Sequence, residues 1–297
     1  MAFDVGIHSK QKRTFAAENN GLMTNGWYQY KQWWAYYLRA RTAYGIDAPF
    51  IFDFIEATLD NPRNYYALVE LQHVRQQLLA NDQIITVKDF GVGSHKLSQK
   101  DRKTSDIAQN SLSNAPDCRM LFNLVHWLKP ENILEMGTSL GLSAMHLAAP
   151  NSRARVVTLE GDPAIANIAK DIIKQQQYKN IQVIQGEFSH TLPLALQTLG
   201  SLDMVFIDGN HRSSAVLDYF EQCLEYAHND TAIILDDIYW SPDMTAAWTK
   251  IKAHPRVTLS VDLYYKGIVF LRTEQRLPRH YTLIARRYKP WQAGFFR

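Results

Sequence analysis

Four short apolar runs in this chain close on carboxylates: Ile133-Leu134-Glu135, Val156-Val157-Thr158-Leu159-Glu160, Met204-Val205-Phe206-Ile207-Asp208 and Ala232-Ile233-Ile234-Leu235-Asp236-Asp237. Buried parallel strands have this appearance when their C-terminal ends line one crevice. The first run passes through Met136-Gly137-Thr138-Ser139-Leu140-Gly141-Leu142-Ser143, a glycine-bearing turn that opens a helix-like segment. A turn of this kind leaves backbone N–H groups facing a small-molecule ligand, and glycine lets the ligand lie against the backbone. Carboxylates gathered at adjacent strand ends repel one another unless a cation sits between them. All-oxygen ligation favours a hard divalent ion, most simply Mg²⁺, with Mn²⁺ or Ca²⁺ as substitutes. His211 follows Asp208 by three residues. An imidazole is largely neutral at physiological pH and can accept a hydroxyl proton without a large pKa shift.

The elements that must position these groups follow from the alternation of apolar runs and helical patterns. Strands are expected to end near Glu135, Glu160, Ile184, Asp208 and Asp236, with helices beginning near Gly141, Pro163, Thr191, His211 and Pro242. Two further strands, Val257–Val261 and Gly267–Leu271, are separated only by Asp262-Leu263-Tyr264-Tyr265-Lys266. So short a link has no room for a crossover helix, so the pair must be antiparallel. The expectation is an α/β, Rossmann-like, mostly parallel seven-stranded sheet with a terminal antiparallel pair.

Upstream, residues 1–26 read as a flexible arm, 27–115 as a helical extension or lid, and 116–297 as the ligand-binding domain. Trp27, Tyr28, Tyr30, Trp33, Trp34, Tyr36 and Tyr37 crowd one helix, either packing against neighbours or a twin subunit or walling a flat substrate. Asp47-Ala48-Pro49 starts a second helix over 49–59, and a third spans 63–79. Ile84–Val87 reads as a short strand, and Gly91–Lys103 as a surface turn or mobile lid. Helical pattern resumes over 104–111 and 117–128.

With 297 residues, 46% of them hydrophobic, there is enough chain for a substantial core. The formal net charge of +3 is too small to argue for nucleic acid or a membrane surface. Cys118 and Cys223 stand outside any metal-ligand spacing and read as packed or idle thiols of a reducing cytoplasm. No apolar segment approaches the ~20 residues of a membrane span, and no secretory signal is evident, so a cytoplasmic protein is expected.

Over Asp117–Arg272 the chain resembles the class I S-adenosylmethionine-dependent methyltransferases, most closely the metal-dependent O-methyltransferases typified by catechol and caffeoyl-CoA O-methyltransferase. The helical N-terminal third looks like an elaboration found in a bacterial branch. The resemblance implies that the turn holding Gly137, Thr138, Ser139 and Gly141 takes the cofactor's methionine part, with Glu135 toward its ammonium and Ser143 toward its carboxylate. Glu160 and the adjoining Gly161 would meet the ribose hydroxyls, Glu187 and Phe188 would border the adenine, and Asp208 would reach both cofactor and metal. Asp208, Asp236 and Asp237 match the family's metal ligands, Asp237 standing where the family carries asparagine. His211 occupies the position of the catalytic lysine of catechol O-methyltransferase; it reads as general base, fourth metal ligand or helix cap.

The implied reaction is in-line attack of a substrate oxygen on the cofactor's methyl group, with a catechol-like or vicinal-diol acceptor suited to bidentate metal binding. Tyr239, Trp240, Met244 and Trp248 would fringe the substrate, packing being the alternative for Trp248. A homodimer is expected from the aromatic helix. An adenine N-methylating enzyme would carry an Asn/Asp-Pro-Pro-aromatic tetrad, which Asp208-Gly209-Asn210-His211 is not. The remaining alternatives are a metal-independent small-molecule methyltransferase and a catalytically silent S-adenosylmethionine-binding protein.

Overall fold

The computed structural model describes residues 21–89, 98–210, 212–275 and 277–292. Helix α1 (Gly21–Arg39) begins within the segment expected to be a mobile arm. It is followed by α2 (Pro49–Phe54), which runs on into a π-helical turn over Ile55–Leu59, and by α3 (Tyr66–Leu79). Strands β1 (Ile84–Asp89) and β2 (Ser98–Lys103) pair antiparallel, so the second half of the expected lid is a hairpin strand. Residues 91–97 of that expected lid lie outside the described residues. Helices α4 (Thr104–Ser111) and α5 (Ala115–Leu128) lead into the main sheet, α5 being capped by Asn114, whose side-chain oxygen accepts from Asp117 N.

From there the chain alternates: β3 (Asn132–Met136), α6 (Leu142–Ala148), β4 (Arg155–Glu160), α7 (Pro163–Gln175), β5 (Ile181–Gln185), α8 (Phe188–Leu199), β6 (Leu202–Ile207), α9 (Ser213–Glu225), β7 (Ala227–Asp236) and α10 (Pro242–Lys252). It finishes with β8 (Leu259–Asp262), β9 (Lys266–Phe270) and β10 (Arg279–Thr282).

The main sheet has eight strands in the order β10-β8-β9-β7-β6-β3-β4-β5. This corrects the expected seven: β10 adds to β8 in parallel. Only β9 runs against the rest, because the short β8–β9 link reverses the chain, and it inserts between β7 and β8. Lys266, expected in that link, is the first residue of β9 and lies opposite Asp236.

The central strands are buried on both faces, which is why they read as unbroken apolar runs. Alternation sorts their side chains. Leu134, Met136, Val205, Ile207, Ile233 and Leu235 pack on one face with residues of α8, α9 and α10. Ile133, Met204, Phe206, Ala232, Ile234, Ile268 and Phe270 face the other way, toward α5 and α6. Ile51, Phe54 and Ile55 of the N-terminal third belong to this second cluster, so that third shares its core with the sheet. Strand order reverses between β3 and β6, and the crevice beyond the carboxyl ends of two such strands is where open α/β sheets bind ligands.

Candidate functional site

At the end of β3, Glu135 is fully buried on the α5 face, and its Oε2 accepts from Thr158 Oγ1 at 2.6 Å. Thr158 Oγ1 in turn lies 2.6 Å from Thr138 Oγ1 in the glycine turn. Glu135 Oε1 is buried with no hydrogen-bond partner. Burial pushes the carboxyl up to about 7, against the lowering effect of the Ser143 and Thr158 hydroxyls. A buried oxygen left in this state is stabilised by an incoming cation that donates hydrogen bonds, which is what an amino-acid ammonium supplies.

The turn itself is shaped by contacts that tolerate no side chain at Gly137. Its φ is +106°, and a Cβ there would lie 2.2 Å from the Asp208 carbonyl oxygen. Asp208 N donates to Met136 O at 2.9 Å, so the ends of β3 and β6 are locked together beneath the crevice. Gly137 N and Thr138 N donate to Leu159 O, both at 3.0 Å. Ser139, with φ +47°, donates its N–H to Glu160 Oε2 at 2.8 Å, and its hydroxyl lies 2.7 Å from Ser111 Oγ of α4. Gly141 caps α6 in the left-handed region. Ser143 lies in the first turn of that helix.

Glu160 Oε1 accepts from Asp162 N at 3.0 Å, so its carboxylate braces the loop through both oxygens, and burial raises its pKa. Gly161 is the loop residue between Glu160 and Asp162. Glu187 is exposed at the start of α8. The Phe188 ring packs on Gly209, where a Cβ would lie 2.6 Å from Cε2, and meets Tyr219 edge-on at 5.9 Å. It therefore wedges α8 against the end of β6.

The acidic end of the crevice is built by strand alternation: Asp208, Asp236 and Lys266 continue the rows of Phe206, Ile234 and Ile268 on the α5 face. Lys266, only 2% exposed, donates from Nζ to Asp236 Oδ1 at 2.8 Å and lies 3.3 Å from Asp117 Oδ2. Burial acts to lower the lysine pKa, but Asp117, Asp236 and Asp208 outweigh it and raise the pKa above the usual range. Asp236 Oδ1 also accepts from Asp237 N at 3.0 Å, and Asp237 sits at φ +53° just past the strand. Among the described residues, no group of three or more His, Cys, Asp or Glu side chains is arranged to hold a metal ion. At Asp236 Oδ1 the Lys266 ammonium and the Asp237 N–H already stand where an ion bound to that oxygen would have to enter. His211 lies outside the described residues.

Lys266 and Asp117 were not singled out in the sequence. The available signal was a lysine heading a buried apolar strand. Tyr239 proves to be buried, donating to Asp262 Oδ2 at 2.6 Å and stacked on Tyr264. Trp248 and Met244 are core residues, whereas Trp240 is 42% exposed. Helix α1 closes over this side: Tyr28 OH donates to Thr245 Oγ1 at 2.7 Å, Gln29 Nε2 to Trp240 O at 2.9 Å, and Tyr264 OH to Gln29 O at 2.8 Å. Its Tyr36 is core, while Trp27, Tyr30 and Trp34 face outward.

If Glu135 receives a cofactor ammonium, cofactor affinity is expected to depend on pH. The carboxyl must lose its proton to receive an ammonium, so affinity should rise as pH climbs through about 7. At about pH 6 roughly a tenth is ionised, which predicts about tenfold weaker S-adenosylmethionine binding than at about pH 7.5, below the loss of the ligand's own ammonium proton. Glu135→Gln should flatten that profile and weaken binding by about 10- to 100-fold, the worth of a charge-assisted hydrogen bond. A flat calorimetric profile for the parent protein would remove Glu135 from the cofactor site.

Residues 134–238 match the family model described as a methyltransferase domain. The chain is similar to the O-methyltransferase imqG of Aspergillus flavus, 29% identical over 114 residues, covering 36% of this chain and 45% of that protein. Catechol O-methyltransferase B of Danio rerio is 33% identical over 94 residues, covering 30% of this chain and 35% of that protein. The chain thus spans less than half the length of these two relatives. Among solved structures, the SAH-bound methyltransferase PaMTH1 of Podospora anserina superposes with a TM-score of 0.53 at 17% identity, over 75% of this chain and 94% of that one. No helix among the described residues is long and apolar enough to cross a membrane. With its eight-stranded sheet, the glycine turn after β3 and the acidic ends of β4, β6 and β7, the chain shares the fold of PaMTH1, and its residues 134–238 are similar to a methyltransferase domain.

Proposed function

We propose that this protein transfers the methyl group of S-adenosylmethionine to a hydroxyl oxygen of a small molecule. The observation that carries the reading is the buried, unpartnered Glu135 Oε1 beside a glycine turn at the strand-order switch. The bound cofactor supplies a methyl group on a sulfonium, which leaves as a neutral thioether. Glu135 holds its ammonium and Ser143 its carboxylate. Glu160 takes the ribose hydroxyls, while Phe188 and Glu187 border the adenine. Gly137, Thr138, Ser139, Gly141 and Gly161 supply the backbone against which it lies. His211 takes the proton from the acceptor hydroxyl as its oxygen attacks. Trp240, on the exposed rim beside α1, walls the acceptor side.

The sequence reading adds a divalent ion at Asp208, Asp236 and Asp237 and a catechol-like or vicinal-diol acceptor, since one ion can bind two adjacent oxygens. Both additions are tested by one comparison: turnover of catechols and monohydroxy aromatics with Mg²⁺ and with chelator. Metal dependence predicts activity confined to catechols and lost on chelation; equal rates in chelator favour the metal-independent reading. Methyl transfer as such is tested first, by S-adenosylhomocysteine release over the same acceptors. Failure of both S-adenosylmethionine and S-adenosylhomocysteine to bind at about 1 mM, an affinity of only about 4 kcal/mol, would sink the function. Binding without turnover of any acceptor would favour the silent binding protein.

The expected homodimer would use the outward face of α1, where Trp27 and Tyr30 stack at 5.6 Å and Trp34 lies edge-on to Tyr30. Replacing Trp27 and Trp34 with serine should then give monomers in sedimentation while cofactor affinity persists. A monomeric parent protein would refute the dimer.

A further inference from the structure

We propose that Lys266 is the resident cation of the acidic crevice, a tethered ammonium standing where the resembled enzymes hold a divalent ion, so that methyl transfer by this chain needs no metal. The inference rests on the methyl-transfer reading and concerns the same site.

Antiparallel pairing places Lys266 directly opposite Asp236, and the two-residue period turns both side chains onto the α5 face. There the ammonium meets Asp236 Oδ1 at 2.8 Å, Asp117 Oδ2 at 3.3 Å and the face of Phe206, whose centroid is 5.5 Å away. A lysine this buried persists only when paired, so the contacts are built into the fold. Asp236 Oδ1 has both lone pairs engaged, one by Lys266 and one by the Asp237 N–H. A divalent ion bound to that oxygen would need to displace a donor. It would also stand within a few ångströms of a fixed positive charge, in surroundings that screen the repulsion poorly.

The ammonium does for the carboxylates what the ion does elsewhere: it offsets their mutual repulsion. Asp117 contributes to this arrangement from outside the methyltransferase strands, through α5, whose Asn114 cap fixes the first turn in which Asp117 stands. Lys266 acts here as a positioning residue, since its side chain is buried.

The test is a Mn²⁺ titration of the full chain in the presence of S-adenosylhomocysteine, reading the free ion by electron paramagnetic resonance. The wild-type protein should leave the free-ion signal tracking the added Mn²⁺ up to about 1 mM, the weak end of carboxylate sites for hard cations. Lys266→Met, which keeps length and apolar bulk but removes the charge, should bind Mn²⁺ at least about tenfold more tightly than wild type, because the carboxylates lose their counter-charge. A purely structural lysine would give no such gain. The proposal is overturned if wild-type protein binds one equivalent that Asp236→Asn removes, or if folded Lys266→Met gains no affinity. Should Lys266→Met not fold, the wild-type titration with its Asp236→Asn control decides alone. Calorimetry with S-adenosylhomocysteine on the same samples separates the two readings: its failure removes the methyltransferase function, while the Mn²⁺ result still reports on Lys266.

Discussion

Gly137→Ala is expected to abolish cofactor binding and to lower stability by roughly 2 to 6 kcal/mol, the sum of backbone strain and an overpacked contact. The added Cβ would meet the Asp208 carbonyl oxygen at 2.2 Å and its carbonyl carbon at 2.9 Å. Both are backbone atoms, and Asp208 N is itself tied to Met136 O, so neither side can yield without parting β3 from β6. The φ of +106° adds a cost that any L side chain would incur. Thermal unfolding and calorimetry with S-adenosylhomocysteine check the two effects separately. Gly200 is the control: its φ is also positive, but a Cβ there meets nothing within 4 Å, so Gly200→Ala should lose stability from strain alone and bind cofactor normally. Wild-type affinity in Gly137→Ala would mean that the turn is not the cofactor's.

The second large effect is expected at His211. It follows Gly209 and Asn210 beyond β6 and precedes α9, and its assigned role comes from the sequence. If it accepts the acceptor's proton, His211→Ala should lower kcat by about 10²- to 10⁴-fold, the range of general-base catalysis. S-adenosylmethionine affinity should stay as in the parent, since Glu135, Ser143 and Glu160 are untouched. A variant that retains full turnover has its base elsewhere. If turnover is lost only at subsaturating cofactor, the histidine serves binding.

The parallel strands were legible because a stretch buried on both faces must be apolar throughout, and the carboxylates Glu160 and Asp236 close such stretches at the end where the sheet meets the crevice. Helix α7 was equally legible, with Asp162 as cap and Pro163 in its first turn. The glycine turn could be read for the same local reason: Gly137 and Gly141 occupy positive φ values that other residues enter at a cost. The sequence by itself therefore determined the order of strand and helix and the residues gathered at one sheet edge.

What surrounds those residues was decided by tertiary structure. The link 262–266 looked like a turn of five residues, but Lys266 belongs to β9, because antiparallel pairing with β7 carries the ladder out to Asp236. β10 was missed because Arg279–Thr282 is polar and half-exposed; it becomes a strand by adding to the edge of β8. The Lys266–Asp236–Asp117 contact joins residues from three elements. No local pattern encodes such a contact, since only the pairing of β9 with β7 and the packing of α5 bring the charges together. Its physical reason is electrostatic: a carboxylate and an ammonium that would each be too costly to bury alone are stable when the fold delivers both to one place.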